Sequence, residues 1–305
     1  MEHLALGLVL LAGTLVTSTL YQGHLSSIKE VALDMAPNSF DDQYQGCSHL
    51  MEEELAELNR TEFTINSIYA QAWALAAAEW RSRRSCVPPV LRPEQAIAIL
   101  AYTLPGPLYQ NFNAAVREAG RSRREYLDSF HFKVLHFLLS EALRALREAQ
   151  PRRCYQVYRG VQDIRFTTQR GRTVRFGHFT STSLRSQNTQ QFGKDTFFSV
   201  CTCYGVPIKD FSIIAQEEEV LIPPFECFEV TNATWRDGNA YIQLYSKETF
   251  SNYNCEFIKG DVPTGWSGVQ GGRWWEVAQS HQGKRASPLW GGRWGELALG
   301  LVSLH

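Results

Sequence analysis

An arginine, two serines and three consecutive glutamates stand in three short segments of this chain, each beside an apolar, β-prone run. The segments are Val157-Tyr158-Arg159-Gly160, Phe179-Thr180-Ser181-Thr182-Ser183 and Glu217-Glu218-Glu219-Val220-Leu221-Ile222-Pro223-Pro224. An arginine at a strand end can hold a phosphate through parallel N–H groups, and a neighbouring glycine lets a ligand approach the main chain. Ser181 and Ser183 share a face if the segment is extended, and each hydroxyl offers a donor and two acceptor lone pairs. Glu217 and Glu219 share a face if the third strand begins with them; close together they repel, so one pKa rises unless a cation lies near. Taken singly, each segment has an ordinary explanation: a strand-edge ion pair, two satisfied strand serines, a solvated acidic loop. Taken together, they describe a site for an anionic ligand with a cationic reacting centre.

Other chemistries lack their residues. Neither serine stands in a Gly-x-Ser-x-Gly elbow, so a hydrolase nucleophile is disfavoured. No Gly-x-Gly-x-x-Gly follows a strand and there is no Walker loop, which disfavours a Rossmann dehydrogenase or a P-loop enzyme. The eight histidines form no metal-binding pattern and the seven cysteines no Cys-x-x-Cys pair, so no metal is expected. A net charge of −1 without a basic stripe argues against nucleic acid as a partner.

The elements that must position these residues fall into two halves. Helical spacing runs through Ile68 to Trp80, Glu94 to Tyr102 after Pro93, and Leu108 to Glu118 before Gly120. Tyr126 to Glu148 reads as one long helix, with Leu127, Phe130, Val134, Leu138, Ala142 and Ala145 on a single apolar face. Beyond Pro151 the runs shorten and become aromatic and β-branched. Tyr155 to Tyr158, Thr173 to Phe176, Thr196 to Thr202, Val220 to Ile222, Cys227 to Thr231 and Ala240 to Tyr245 read as strands between Gly, Pro, Asp and Asn turns. Helices first and strands second give an α+β fold.

The ends have their own character. Leu4 to Val16 is apolar and followed by small polar residues, which reads as a signal peptide over residues 1–20. A helical part over 21–150, a β-rich core over 151–260 and a Gly/Trp-rich tail over 261–305 complete the division. The apolar end of the tail, Leu297 to Leu304, is short for a glycolipid-anchor signal, so secretion is the expectation and a cell-surface glycolipid anchor the alternative. Export favours disulfides, and an odd number of cysteines leaves at least one without a partner inside the chain. Asn59-Arg60-Thr61 and Asn232-Ala233-Thr234 are glycosylation signals.

In order and spacing the three segments resemble the arginine-specific mono-ADP-ribosyltransferases of the vertebrate ecto-enzyme type. Phe40-Asp41-Asp42-Gln43-Tyr44-Gln45-Gly46-Cys47, Phe130-His131-Phe132-Lys133 and Tyr253-Asn254-Cys255 add to the resemblance, which extends from residue 30 to 257. It implies a helical N-terminal part packed on a β-sandwich-like mixed sheet core, with NAD in a cleft between sheets. It implies disulfides Cys47–Cys255 and Cys154–Cys203, with Cys86, Cys201 and Cys227 left over. The family often has glutamine where this chain has His178.

The resemblance also implies roles. Loss of nicotinamide from NAD leaves an oxocarbenium-like ribose, whose charge Glu219 would stabilise from beneath. An acceptor guanidinium needs a base to become nucleophilic, and Glu217 would serve. Arg159 would hold the phosphates, Ser181 would position the ribose or Glu219, and Tyr102, Gly160 and Ser212 would contact the dinucleotide. NADP is an alternative donor, and proteins bearing arginine or small guanidines are the acceptors. An NAD glycohydrolase and a catalytically silent binding protein of the same fold are the rival readings.

Overall fold

The computed structural model describes residues 28–83, 89–151, 153–186 and 193–259. The expected signal peptide, the tail and Cys86 lie outside the described residues. After β1 (Lys29–Ala32) come six helices: α1 (Ser48–Ile65), α2 (Ser67–Arg83), α3 (Pro93–Thr103), α4 (Leu108–Ala119), α5 (Arg123–Ser129) and α6 (Lys133–Glu148). Nine strands follow: β2 (Tyr155–Val161), β3 (Ile164–Thr167), β4 (Thr173–Val174), β5 (Thr180–Ser183), β6 (Thr196–Thr202), β7 (Val206–Pro207), β8 (Glu219–Ile222), β9 (Glu226–Arg236) and β10 (Asn239–Thr249). Helices and a mixed sheet make an α+β fold. α1 is a further helix, not among those read from the sequence, and Thr173 to Phe176 is extended only over its first two residues.

The apolar face read over Tyr126 to Glu148 is real, but the helix is not continuous: α5 stops at Ser129 and α6 starts at Lys133. The cause lies far away in the chain. The buried Glu62 carboxylate accepts the first N–H groups of α6, from Lys133 at 2.7 Å and Val134 at 3.1 Å, and so caps a new helix start. Lys133 turns back to donate to the Leu127 and Phe130 carbonyls, which α5 leaves open. Local helix starts follow simpler rules: Ser122 Oγ accepts from Glu125 N at 3.0 Å, and Pro93 opens α3.

Eight strands are hydrogen-bonded in the order β4-β9-β10-β6-β2-β5-β8-β7, while β1 and β3 pair separately. β6 and β10 run parallel; the other neighbours in the large sheet are antiparallel. The β9–β10 hairpin turns at Asp237-Gly238, both with positive φ, where Gly tolerates the left-handed conformation. Between β2 and β5 the pairing shrinks to Tyr158 opposite Ser183, so two halves of the sheet meet at one narrow joint.

Two apolar cores flank that joint. One gathers the helices with Phe179, Phe211 and Leu221; the other gathers Val157, Phe198, Val200, Val220, Ile222, Ile242 and Leu244 from the strands. β8 is buried throughout because alternate side chains enter opposite cores, which is why its sequence is an unbroken apolar run. The disulfides Cys47–Cys255 and Cys154–Cys203 are formed as the resemblance implied, and Cys201 and Cys227 are free thiols. Asn59 is buried in α1, where its Oδ1 accepts from Tyr69 Oη at 3.1 Å, so the Asn59 signal is closed to a glycan in the folded protein.

Candidate active site

A cavity of about 510 Å³ opens at the β2–β5 joint, a size that suits a small-molecule ligand. The seven residues to which the resemblance gave roles line it: Tyr102, Arg159, Gly160, Ser181, Ser212, Glu217 and Glu219. The end of α3, the following turn and α4 form one wall; β2, β5 and the approach to β8 form the other. Gly193, with φ +131°, packs against the far end of β2; a Cβ there would lie 2.3 Å from Gln162 N. Val161 and Gln162 can therefore sit at the cavity edge with the next connection close behind them.

Arg159 reaches from β2 to donate to the Ser181 carbonyl at 2.6 Å. Among the described residues no carboxylate lies within ion-pair distance of it. Burial lowers its pKa, opposed by Tyr102, Tyr109 and Glu219. A guanidinium stays charged under such a shift, so this one keeps N–H donors for an incoming anion.

Glu219 opens β8 and is 6% exposed. Burial pushes its carboxyl up to about 7; hydrogen bonds from Ser181 and Ser212 favour the charged form, Glu217 opposes it and Arg159 favours it. Ser212 Oγ stands 3.5 Å from Glu219 Oε2 and accepts from Ile214 N at 3.2 Å. The Ser212 hydroxyl is thus taken up by the carboxylate and its own turn.

Glu217 shares the cavity with Glu219, but not through strand alternation. It ends a short 3-10 turn (Ala215–Glu217), Glu218 follows in the left-handed region with φ 46°, and the strand begins only at Glu219. That reversal, not a two-residue repeat, brings the two side chains to one cavity. Burial raises the Glu217 carboxyl too.

Tyr102 donates to the Phe179 carbonyl at 2.9 Å and receives the Asn113 amide at 3.0 Å. Burial pushes its phenol up to about 12, so it stays neutral and presents its ring rather than a charge. This chain of bonds fixes the orientation of Asn113, whose Oδ1 is buried with no partner among the described residues and belongs to a cavity-lining side chain. Asn113 is a lining residue that the sequence did not mark out; Tyr158 and Ser183, from the first two segments, line the cavity as well. His178 stands behind the wall: burial and Arg117 push it down to about 3, so it is neutral.

The model of the NAD:arginine ADP-ribosyltransferase family matches residues 33–252. The chain belongs to that family. It is 57% identical over 259 residues to the erythroblast NAD(P)(+)–arginine ADP-ribosyltransferase of Gallus gallus, covering 84% of this chain and 86% of the relative. It is 51% identical over 247 residues to the GPI-linked NAD(P)(+)–arginine ADP-ribosyltransferase 1 of Homo sapiens, covering 76% of each. The crystal structure of the eukaryotic mono-ADP-ribosyltransferase ART2.2 superposes with a TM-score of 0.65 at 37% identity, covering 74% of this chain and 98% of that one. A variant of ART2.2 has been solved with NADH and another with NAD. Among the described residues no group of side chains could hold a metal ion, and no helix is long and apolar enough to cross a membrane.

Proposed function

We propose that this protein transfers ADP-ribose from NAD to the guanidinium of arginine, on proteins or on small guanidines, and releases nicotinamide. The observation that carries this reading is a cavity holding an arginine without a carboxylate partner opposite two carboxylates of different burial. Arg159 holds the pyrophosphate. Glu219 lies under the nicotinamide ribose and stabilises positive charge as the C1′–N bond breaks and nicotinamide leaves with the electron pair. Its raised pKa in the empty cavity falls when the cationic nicotinamide ribose arrives, because an opposite charge favours the carboxylate.

Glu217, on the more open side, accepts a proton from the incoming guanidinium as its nitrogen bonds to C1′. Ser181 and Ser212 keep Glu219 oriented, a role that for Ser212 replaces direct contact with the dinucleotide. Gly160 and the Tyr102 ring border the ligand, and Asn113 Oδ1 accepts a hydrogen bond from it. NADP serves as a second donor. The apolar segment at Leu4 to Val16 supports export through a signal peptide, with release from the cell as the outcome and a glycolipid anchor as the alternative.

The test is incubation of the purified protein with labelled NAD and agmatine, with ADP-ribosyl-agmatine and free ADP-ribose measured together. A predominance of adduct supports arginine transfer. A predominance of free ADP-ribose makes the protein an NAD glycohydrolase, and neither product makes it a binding protein.

A further inference from the structure

The turn that carries Glu217 and Glu219 is held from outside the cavity. Glu218 sits at φ 46°, a conformation that a residue with a side chain adopts only when its surroundings impose it. The surroundings are the end of β5 and the residues after it. Leu184 N–H donates to the Glu218 carbonyl at 3.2 Å. Ser183 Oγ donates to the Glu217 carbonyl at 2.7 Å and accepts from Arg185 N–H at 3.1 Å. The Arg185 guanidinium then closes on the Glu218 carboxylate in a bidentate pair, Nε to Oε2 at 3.0 Å and a terminal nitrogen to Oε1 at 2.6 Å. Main chain and side chain of Arg185 thus grip two successive glutamates, one directly and one through Ser183.

Resting on the reading above, we propose that Arg185 is a positioning residue: its pair with Glu218 sets where Glu217 stands relative to Glu219, and so decides whether arginine or water takes the ribosyl group. Glu219 is fixed without it, because β8 lies between two cores and the Glu219 carbonyl accepts from Ile208 N at 3.0 Å. Glu217 precedes the strand, in a short turn where its N–H donates to the Ile214 carbonyl at 3.2 Å and its own carbonyl accepts from Ser183 Oγ at 2.7 Å. Attack by a guanidinium requires a base in one place, and a misplacement of about 1 Å can cost about a hundredfold in rate. Water is small, abundant and less demanding of a fixed base. Loosening the clamp therefore costs transfer and spares NAD cleavage. Arg185 is more than half exposed, so the pair adds little to global stability and its effect is local.

The experiment measures ADP-ribosyl-agmatine and free ADP-ribose in one reaction for the wild type and for Arg185→Ala, Glu218→Gln, the double variant, Arg185→Lys and the charge swap Arg185→Glu with Glu218→Arg. The expected result is an adduct-to-free ratio about tenfold lower in either single variant, no lower in the double, and partly restored in the swap, with total NAD consumption within about threefold of wild type. Arg185→Lys, which keeps the charge but not the fork, falls between. An unchanged ratio, or both products falling together in every variant, would overturn the proposal. A wild-type protein that makes no adduct would instead refute the transferase reading, so the two failures are distinct.

Discussion

Two buried glutamates, in different regions of the same sheet, are provided for in opposite ways. Glu226 is fully enclosed at the start of β9 and accepts from Thr202 Oγ1 at 2.5 Å, Ser246 Oγ at 2.6 Å, Cys203 N at 2.8 Å and Tyr204 N at 3.2 Å. Its donors come from β6, β10 and the turn after β6, so it fastens that turn next to the Cys154–Cys203 disulfide. Glu219 is nearly as buried, yet it has two serine hydroxyls, one at 3.5 Å, and a second carboxylate close enough to oppose its charge. A carboxylate whose donors the protein supplies in full is part of the scaffold. One left short of donors and facing a cavity suits a cationic ligand, the role proposed for Glu219.

That contrast can be broken by removing each group. Glu219→Gln should lower total NAD cleavage by about a thousandfold or more, the scale of a lost preorganised electrostatic contact, in a product assay. Retention of more than a tenth of the activity would break the assignment. Glu226→Ala should leave two main-chain N–H groups and two hydroxyls buried without an acceptor and lower stability by roughly 3 kcal/mol, read by denaturant unfolding. An unfolding midpoint equal to wild type would put Glu226 in the same class as Glu219. Glu217→Gln should sharpen the picture inside the cavity, cutting agmatine adduct by about a hundredfold while free ADP-ribose falls less than tenfold.

The smallest expected effect concerns pH. The folded pKa of Glu219, about 7, lies above the ordinary 4.5. Its contribution to stability is complete below the ordinary value and is lost as pH rises through about 7. Glu219→Gln should therefore melt higher than wild type at pH 8, by an amount on the order of 2 kcal/mol, and equal to it near pH 4. Over the same window kcat/KM of the wild type should rise with pH and level off above about 7, because the ionised carboxylate is the active form. A flat profile from pH 5 to 8 would show that the donors of Glu219 are sufficient after all.

The residues that line the cavity were legible as a set: singly each segment had an ordinary explanation, and the resemblance of three ordered segments tied them together. Helices α2, α3 and α4 and the longer strands were legible from apolar period and from Pro93 and Gly120. What stayed hidden depends on partners distant in the chain. Nothing near Ser129 announces the break before α6; it is made by Glu62, some 70 residues earlier in the chain. The left-handed Glu218 carries no glycine to mark it, so the acidic run looked like the start of a strand. Asn113 is one polar residue in an amphipathic helix, and only the Tyr102 bond gives its amide a direction. Asn59 fits a glycosylation signal by spelling, while its burial follows from the packing of α1 on α2.

The acidic pair Asp41-Asp42 carries a consequence for how the chain is made. Asp41 accepts from Asn252 N and Tyr253 N, and Asp42 from Cys255 N and Glu256 N, all at about 2.8 to 3.0 Å. The Cys47–Cys255 bridge closes beside them across 208 positions. On the ribosome the helical half emerges first, yet four of the main-chain donors to its two buried carboxylates come from residues 252–256, after the last strand. A chain halted before residue 251 would keep Arg175 for Asp41 and Tyr44 N for Asp42, but would lack those four main-chain donors and leave the Cys47 thiol unmatched. The segment just after β10 thus completes the packing of the first half of the chain.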